Sequence, residues 1–237
     1  MNAIAEAHHD HRDITGGAAR AAVFGMSDGL TTNVALILGV AGAHPAAGVV
    51  RLAGLAGLIG GAFSMAAGEW VSMKAQAELL ERELAIERHE IANSPDKERR
   101  ELAAMYQHRG IDRETANSMA AQVMADPELA LEVHAREEMG VDPSQLGSPV
   151  KTALSSFATF AAGALVPLLP WFFGHGRSAV IASLVLAAVA ALVVGAALGQ
   201  FTGRSRIRSG LRQLGIAAAA SLVTYGVGAL VGVGGGV

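Results

Sequence analysis

The chain is 237 residues long, 51% hydrophobic and only 16% charged, with 29 glycines and no cysteine. Without cysteine, disulfide frameworks, thiolate metal sites and cysteine nucleophiles are excluded. A net charge of −3 and an aromatic content of 5% argue against nucleic acid as a partner, and a mean hydropathy of +0.38 is high for a soluble domain of this size.

Charge is distributed very unevenly. Residues 74–151 hold 16 of the 21 acidic and 10 of the 18 basic residues, a local net charge of −6. The polar opening, MNAIAEAHHDHRD, does not read as a cleavable signal peptide. It carries His8, His9 and His11 beside Asp10, a short metal-capable cluster. Apolar stretches then follow at 19–43, 49–73, 150–172, 178–200 and 212–235, the first broken only by Arg20 and Asp28. Each is long enough, or nearly so, to cross ~30 Å of hydrocarbon at ~1.5 Å per residue. Four uncharged runs of 22 or more residues do not suit a soluble surface.

The pattern predicts an all-α fold: a five-helix transmembrane protein with a small helical cytosolic domain inserted between helices two and three. The expected divisions are a polar cytosolic N-terminus at 1–17, two membrane helices at 18–73, the insert at 74–147 and three membrane helices at 148–237. Arg204, Arg206, Arg208 and Arg212 crowd the 200–213 loop, whereas the 173–177 loop carries only Arg177 and the 44–51 loop only Arg51. The positive-inside tendency then places the 200–213 loop, the insert and the N-terminus in the cytosol and the C-terminus outside.

Within the insert, helix two runs on without a breaker to about Asn93. Ser94-Pro95 supplies an N-cap and a first-turn proline for a helix ending near Gly110. A third helix starts near Asp112, and Asp126-Pro127 opens a fourth that stops at Gly140. Ser148-Pro149 starts the third membrane helix.

Two carboxylates sit inside apolar helices, Asp28 about two turns into helix one and Glu69 near the cytosolic end of helix two. An ionisable group at such depth is costly and therefore marks a functional position. Met65, four residues before Glu69, shares its helix face, and a thioether beside carboxylates suits a borderline-soft divalent metal. In the insert, Glu87 and Glu90 are three apart, and Glu98 and Glu101 repeat the spacing on the next helix. Facing Glu-x-x-Glu pairs can converge on metal ions. Met124 and Glu128 lie at i, i+4, with Pro127 between them. Arg88, Lys97, Arg99 and Arg100 are interleaved and could equally pair with these acids as a solvated face. The insert contains no Glu-x-x-His pair, against a ferroxidase of the di-iron bundle type, and the chain has no phosphate-binding Gly-x-x-x-x-Gly-Lys loop. Glycines recur four apart at Gly25/Gly29, Gly57/Gly61, Gly195/Gly199 and Gly228/Gly232, a spacing that allows close helix approach or a subunit interface.

Three long motifs resemble one family. FGMSDGLTTNVALILGVAGA (24–43), GGAFSMAAGEWVSMKAQAE (60–78) and SPVKTALSSFATFAAGALVPLLP (148–170) look like the first three membrane helices of the vacuolar iron transporter family. The resemblance covers nearly the whole chain. It implies a homodimer in the lipid bilayer that moves Fe²⁺, and often Mn²⁺ and other divalent metals, out of the cytosol against protons. It implies that Asp28 and Met65 line the path, with Glu69 as companion. It also implies that Glu87, Glu90, Glu98, Glu101, Met124 and Glu128 bind metal in a cytosolic domain. No prosthetic group and no enzymatic reaction are expected, the metal being the substrate. The Ala-, Gly- and Arg-rich composition points to a bacterial plasma membrane. The rival reading is a membrane-anchored metal buffer or sensor, which would have no need of Asp28.

Overall fold

A computed structural model describes residues 17–142 and 147–234, which form helices joined by short connections, with no strand among them. The helices are α1 (Gly17–Gly42), α2 (Ala47–Asn93), α3 (Pro95–His108), α4 (Arg113–Val123), α5 (Pro127–Glu138), α6 (Pro149–Leu168), α7 (Pro170–Phe173), α8 (Gly176–Phe201) and α9 (Arg206–Gly234). Five of them, α1, α2, α6, α8 and α9, are long and apolar enough to cross a membrane. The protein is thus a multi-pass membrane protein. Its spanning helices expose large apolar side chains such as Leu52, Phe63, Val193, Leu222 and Leu230. That surface suits hydrocarbon and would be unfavourable in water.

Two boundaries differ from expectation. The third span stops at Leu168 instead of running to 172, because Pro170 cannot continue a helix over the Val166 carbonyl. Leu169 keeps helical dihedrals with its N–H on the Leu165 carbonyl, and the single turn α7 follows directly. Pro167 lies inside α6, and its carbonyl accepts the Ser183 hydroxyl of α8 at 2.7 Å. The fifth span starts earlier than 212. Arg206, Arg208 and Arg212, expected in a loop, lie on the first turns of α9. Arginine is a good helix former, and the Ser205 hydroxyl accepts the Arg208 N–H at 3.4 Å, so charge does not end this helix. The connection from α8 is a short turn through Gly203, whose φ of 68° favours glycine.

The chain divides into two compact units, Met1–Val71 with Gly147–Val237, and Ser72–Leu146. In the first, α1 is the most enclosed spanning helix. Leu30, Val34 and Leu38 pack on Ala187 and Ala191 of α8 and Ala217 of α9. Ile37 and Ala41 pack on Val50, Leu168, Trp171 and Ala179. Small residues make this possible. A Cβ on Gly29 would strike the Phe160 carbonyl of α6, and one on Gly163 the Met26 carbonyl of α1, so these helices meet backbone to backbone. All four glycine pairs face elements of the same chain. Gly25 and Gly29 face α6, Gly57 and Gly61 the side chains of Asn33, Leu36 and Phe160, Gly195 and Gly199 face α9, and Gly228 and Gly232 face Gly39 and Ala43.

The second unit is built from the charged half of α2 with α3, α4 and α5. Leu102, Ala103 and Tyr106 of α3 pack on Ala116 and Ala120 of α4, while Ile91 of α2 packs on Ala130 and Leu131 of α5. Asp112 and Asp126 cap α4 and α5 by accepting backbone N–H groups. Ser94 holds the N-cap position of α3, but its side chain makes no capping bond; Pro95 in the first turn sets the helix start instead.

Candidate metal centre and membrane carboxylates

The second unit gathers Glu87 of α2, Glu98 of α3, and His134 and Glu138 of α5, each with one donor atom within 4.8 Å of the others. Helical spacing places them: His134 and Glu138 are four apart on one face of α5. Arg109 at the end of α3 donates through Nη1 to Glu137 Oε1 at 2.8 Å, holding α3 to α5 near this face. Glu87 is 5% exposed, Glu98 1% and His134 fully buried. Glu138 forms the open edge.

Burial of so many acids in one place is unfavourable without a cation. His134 Nδ1 lies 3.0 Å from Glu87 Oε1 and 3.5 Å from Glu138 Oε1. The ring is not aligned for hydrogen bonding, so both His134 nitrogens and Glu87 Oε1 lack a hydrogen-bond partner. Orphaned buried donors and acceptors of this kind are ready ligands. Glu87 lies well beyond the apolar part of α2. Its burial, followed by the carboxylates of Glu138, Glu98, Glu90 and Glu101, raises its pKa from 4.5 to about 7. Glu138 is also raised, chiefly by burial, with His134 opposing. Imidazole with three carboxylates suits Fe²⁺, Mn²⁺, Co²⁺ or Zn²⁺ better than Ca²⁺ or Mg²⁺.

A second focus adjoins the first through Glu98. Lys97 Nζ lies 3.0 Å from Glu98, 3.7 Å from Glu90 and 3.8 Å from Glu101. These three acids raise the Lys97 pKa, the Glu98 hydrogen bond most of all. Glu90, Glu98 and Glu101 thus gather on a lysine ammonium, while Glu87 and Glu138 lie beside the histidine. The anticipated pairing of interleaved bases with these acids is realised at Lys97.

Met124 and Glu128 are placed elsewhere. Met124 packs on the Ile91, Ala130 and Leu131 cluster, and Glu128 is exposed in the first turn of α5, its N–H bound by Asp126. His134 and Glu138 were missed from sequence, although the same i, i+4 spacing recurs ten residues on, where no proline interrupts it. His8, His9 and His11 lie outside the described residues.

In the first unit, Asp28 accepts the Thr32 hydroxyl at 3.1 Å. Glu69 accepts Arg20 Nη2 at 3.0 Å. The two carboxylates thus belong to separate pairs. Met65 is half-buried against Ala62, Phe160 and Ala164. Around Asp28, α1 carries polar groups that sequence reasoning did not single out. Gln213 of α9 donates to Ser27 Oγ at 2.6 Å, and Asn33, fully buried, donates to the Ala164 carbonyl at 2.6 Å while its own Oδ1 has no partner.

The fold is that of a helical multi-pass membrane protein, with carboxylates on two apolar helices and a buried acid–histidine cluster that could hold a cation. Comparison makes it specific: the VIT family matches residues 19–229, and the chain belongs to that family. It is 32% identical over 222 residues to vacuolar iron transporter 1 of Oryza sativa subsp. japonica, covering 93% of this chain and 88% of that one. It is 35% identical over 217 residues to the vacuolar iron transporter of Acanthamoeba castellanii, covering 91% and 79%. It is 30% identical over 220 residues to vacuolar iron transporter 1 of Arabidopsis thaliana, covering 92% and 88%.

Proposed function

We propose that the chain is a divalent metal transporter, with Fe²⁺ as a substrate and Mn²⁺ as a second, that exports metal from the cytosol in exchange for protons. The observation that carries the reading is the cluster of Glu87, Glu98, His134 and Glu138, whose donor atoms lie within 4.8 Å of one another. The names of its relatives as iron transporters support the choice of metal. In this reading residues 74–147 form a cytosolic domain that captures the ion, and Asp28, Met65 and Glu69 line the path through a homodimer. The N-terminus is cytosolic, the C-terminus is outside, and the plasma membrane of a bacterium is the site.

The chemistry follows from competition. A carboxylate in low dielectric holds a proton or a metal ion, not both at once, because burial favours the neutral acid and an adjacent cation favours the anion. Protons arriving from outside at Asp28 or Glu69 displace the metal, and their departure on the cytosolic side readies the site again. The metal is the cargo and needs no resident group. The test is Fe²⁺ flux into sealed proteoliposomes with and without a pH gradient. Gradient-driven accumulation supports exchange. Flux indifferent to the gradient would indicate a channel, and binding without flux an anchored buffer.

A further inference from the structure

Arg20 and Asp28 are the only charged residues in 18–50, and the reading above gives Arg20 no role. Its guanidinium donates through Nη2 to Glu69 Oε2 at 3.0 Å. The partners are unequally placed, the Arg20 side chain being 65% exposed and that of Glu69 11%. Among the described residues this is the one ion pair of the membrane-spanning unit, every other joining residues of Ser72–Leu146. It ties α1 to α2 at a place where α2 is otherwise lightly held. Phe63, Trp70 and Val71 are exposed, and a Cβ on Gly60 or Gly68 would meet open space.

We infer that Arg20 is a tethered competitor for the cation position at Glu69. It neutralises that carboxylate when no metal is there and must swing away when a divalent ion is received. Guanidinium and a divalent ion repel at such range, so they do not share one nearly buried carboxylate. Arginine keeps its charge at every working pH, so displacement occurs by movement and not by proton loss. The exposed, flexible side chain has room to move. The consequence is a weaker metal position at Glu69, which a transporter needs, because an ion held too tightly does not leave. Arg20 is on this account a positioning residue that sets affinity against turnover.

The inference rests on the reading that metal passes Glu69, and the experiment separates the two. Fe²⁺ flux in proteoliposomes is measured against Fe²⁺ concentration for wild type, R20Q, R20K and E69Q. R20Q is expected to lower the half-saturating concentration about tenfold and to lower the maximal rate, since binding gains what release loses. R20K keeps a charge but loses the planar fork, and should lower it about threefold. An unchanged or raised half-saturating concentration in R20Q, with E69Q impaired, overturns the role given to Arg20. If R20Q does not fold, R20K decides by the same criterion. Wild-type kinetics in E69Q would overturn the passage of metal past Glu69 itself.

Discussion

His134 Nδ1 and Glu87 Oε1 stand 3.0 Å apart in the second unit, buried, and neither has an aligned hydrogen-bond partner. Two helices far apart in sequence present donor atoms to a common point. A metal ion at that point would satisfy both. Replacing His134 by Ala or Glu87 by Gln should therefore weaken metal binding by the full-length protein in detergent on the order of 100-fold. Titration calorimetry with Mn²⁺ checks this. Met124→Leu, on a side chain buried in the apolar cluster beside Ile91, should leave the affinity within about threefold.

Metal binding should depend on pH through Glu87, whose carboxyl titrates near 7. The metal needs the anion, so affinity should fall as pH drops below about 7 and level off above it. Stability without metal runs the other way. The folded pKa is raised, so the folded state binds more protons than the unfolded one between 4.5 and about 7. The contribution of this group is full below 4.5 and is lost as pH rises through about 7. Thermal melts of the metal-free protein across this range, compared with E87Q, should reveal that slope in the wild type and a weaker one in the variant.

Lys97 occupies the space shared by Glu90, Glu98 and Glu101. Removing its charge as Lys97→Met leaves the buried Glu98 carboxylate without its cation. The metal-free protein should melt lower by several degrees. Added Mn²⁺ should restore more stability than in wild type, since the competing ammonium is gone. Melting curves with and without Mn²⁺ decide the point.

Helix packing makes a contrast between two glycines. A methyl group on Gly29 would run into the Phe160 backbone of α6, which cannot yield as a side chain could. Gly29→Ala should cost several kcal/mol and abolish the well-folded species on size-exclusion chromatography. Gly60→Ala meets open space and should behave as wild type in the same assay.

The sequence made the membrane helices legible because hydrocarbon imposes a length and an absence of charge. It revealed α2 running on to Asn93 because nothing between Lys74 and Asn93 breaks a helix. The start of α9 is not legible in it because clustered arginines suit a loop and a helix alike, being good helix formers, and α9 begins with them. Spacing singles out Glu87 and Glu98 as candidates, but not His134 and Glu138, whose relation to them arises only when α5 folds back on α2 and α3. Convergence of that kind depends on tertiary packing and has no local pattern. The Arg20–Glu69 pair, spanning 49 positions, was hidden for the same reason.

The central claim is that metal crosses the membrane past Asp28 in exchange for protons. Its most direct test is Fe²⁺ accumulation in sealed proteoliposomes under an imposed pH gradient, comparing wild type with Asp28→Ala. The account predicts uphill accumulation by the wild type and none by the variant, with metal binding at the Glu87 cluster unchanged in both. Accumulation by Asp28→Ala at the wild-type rate would contradict it.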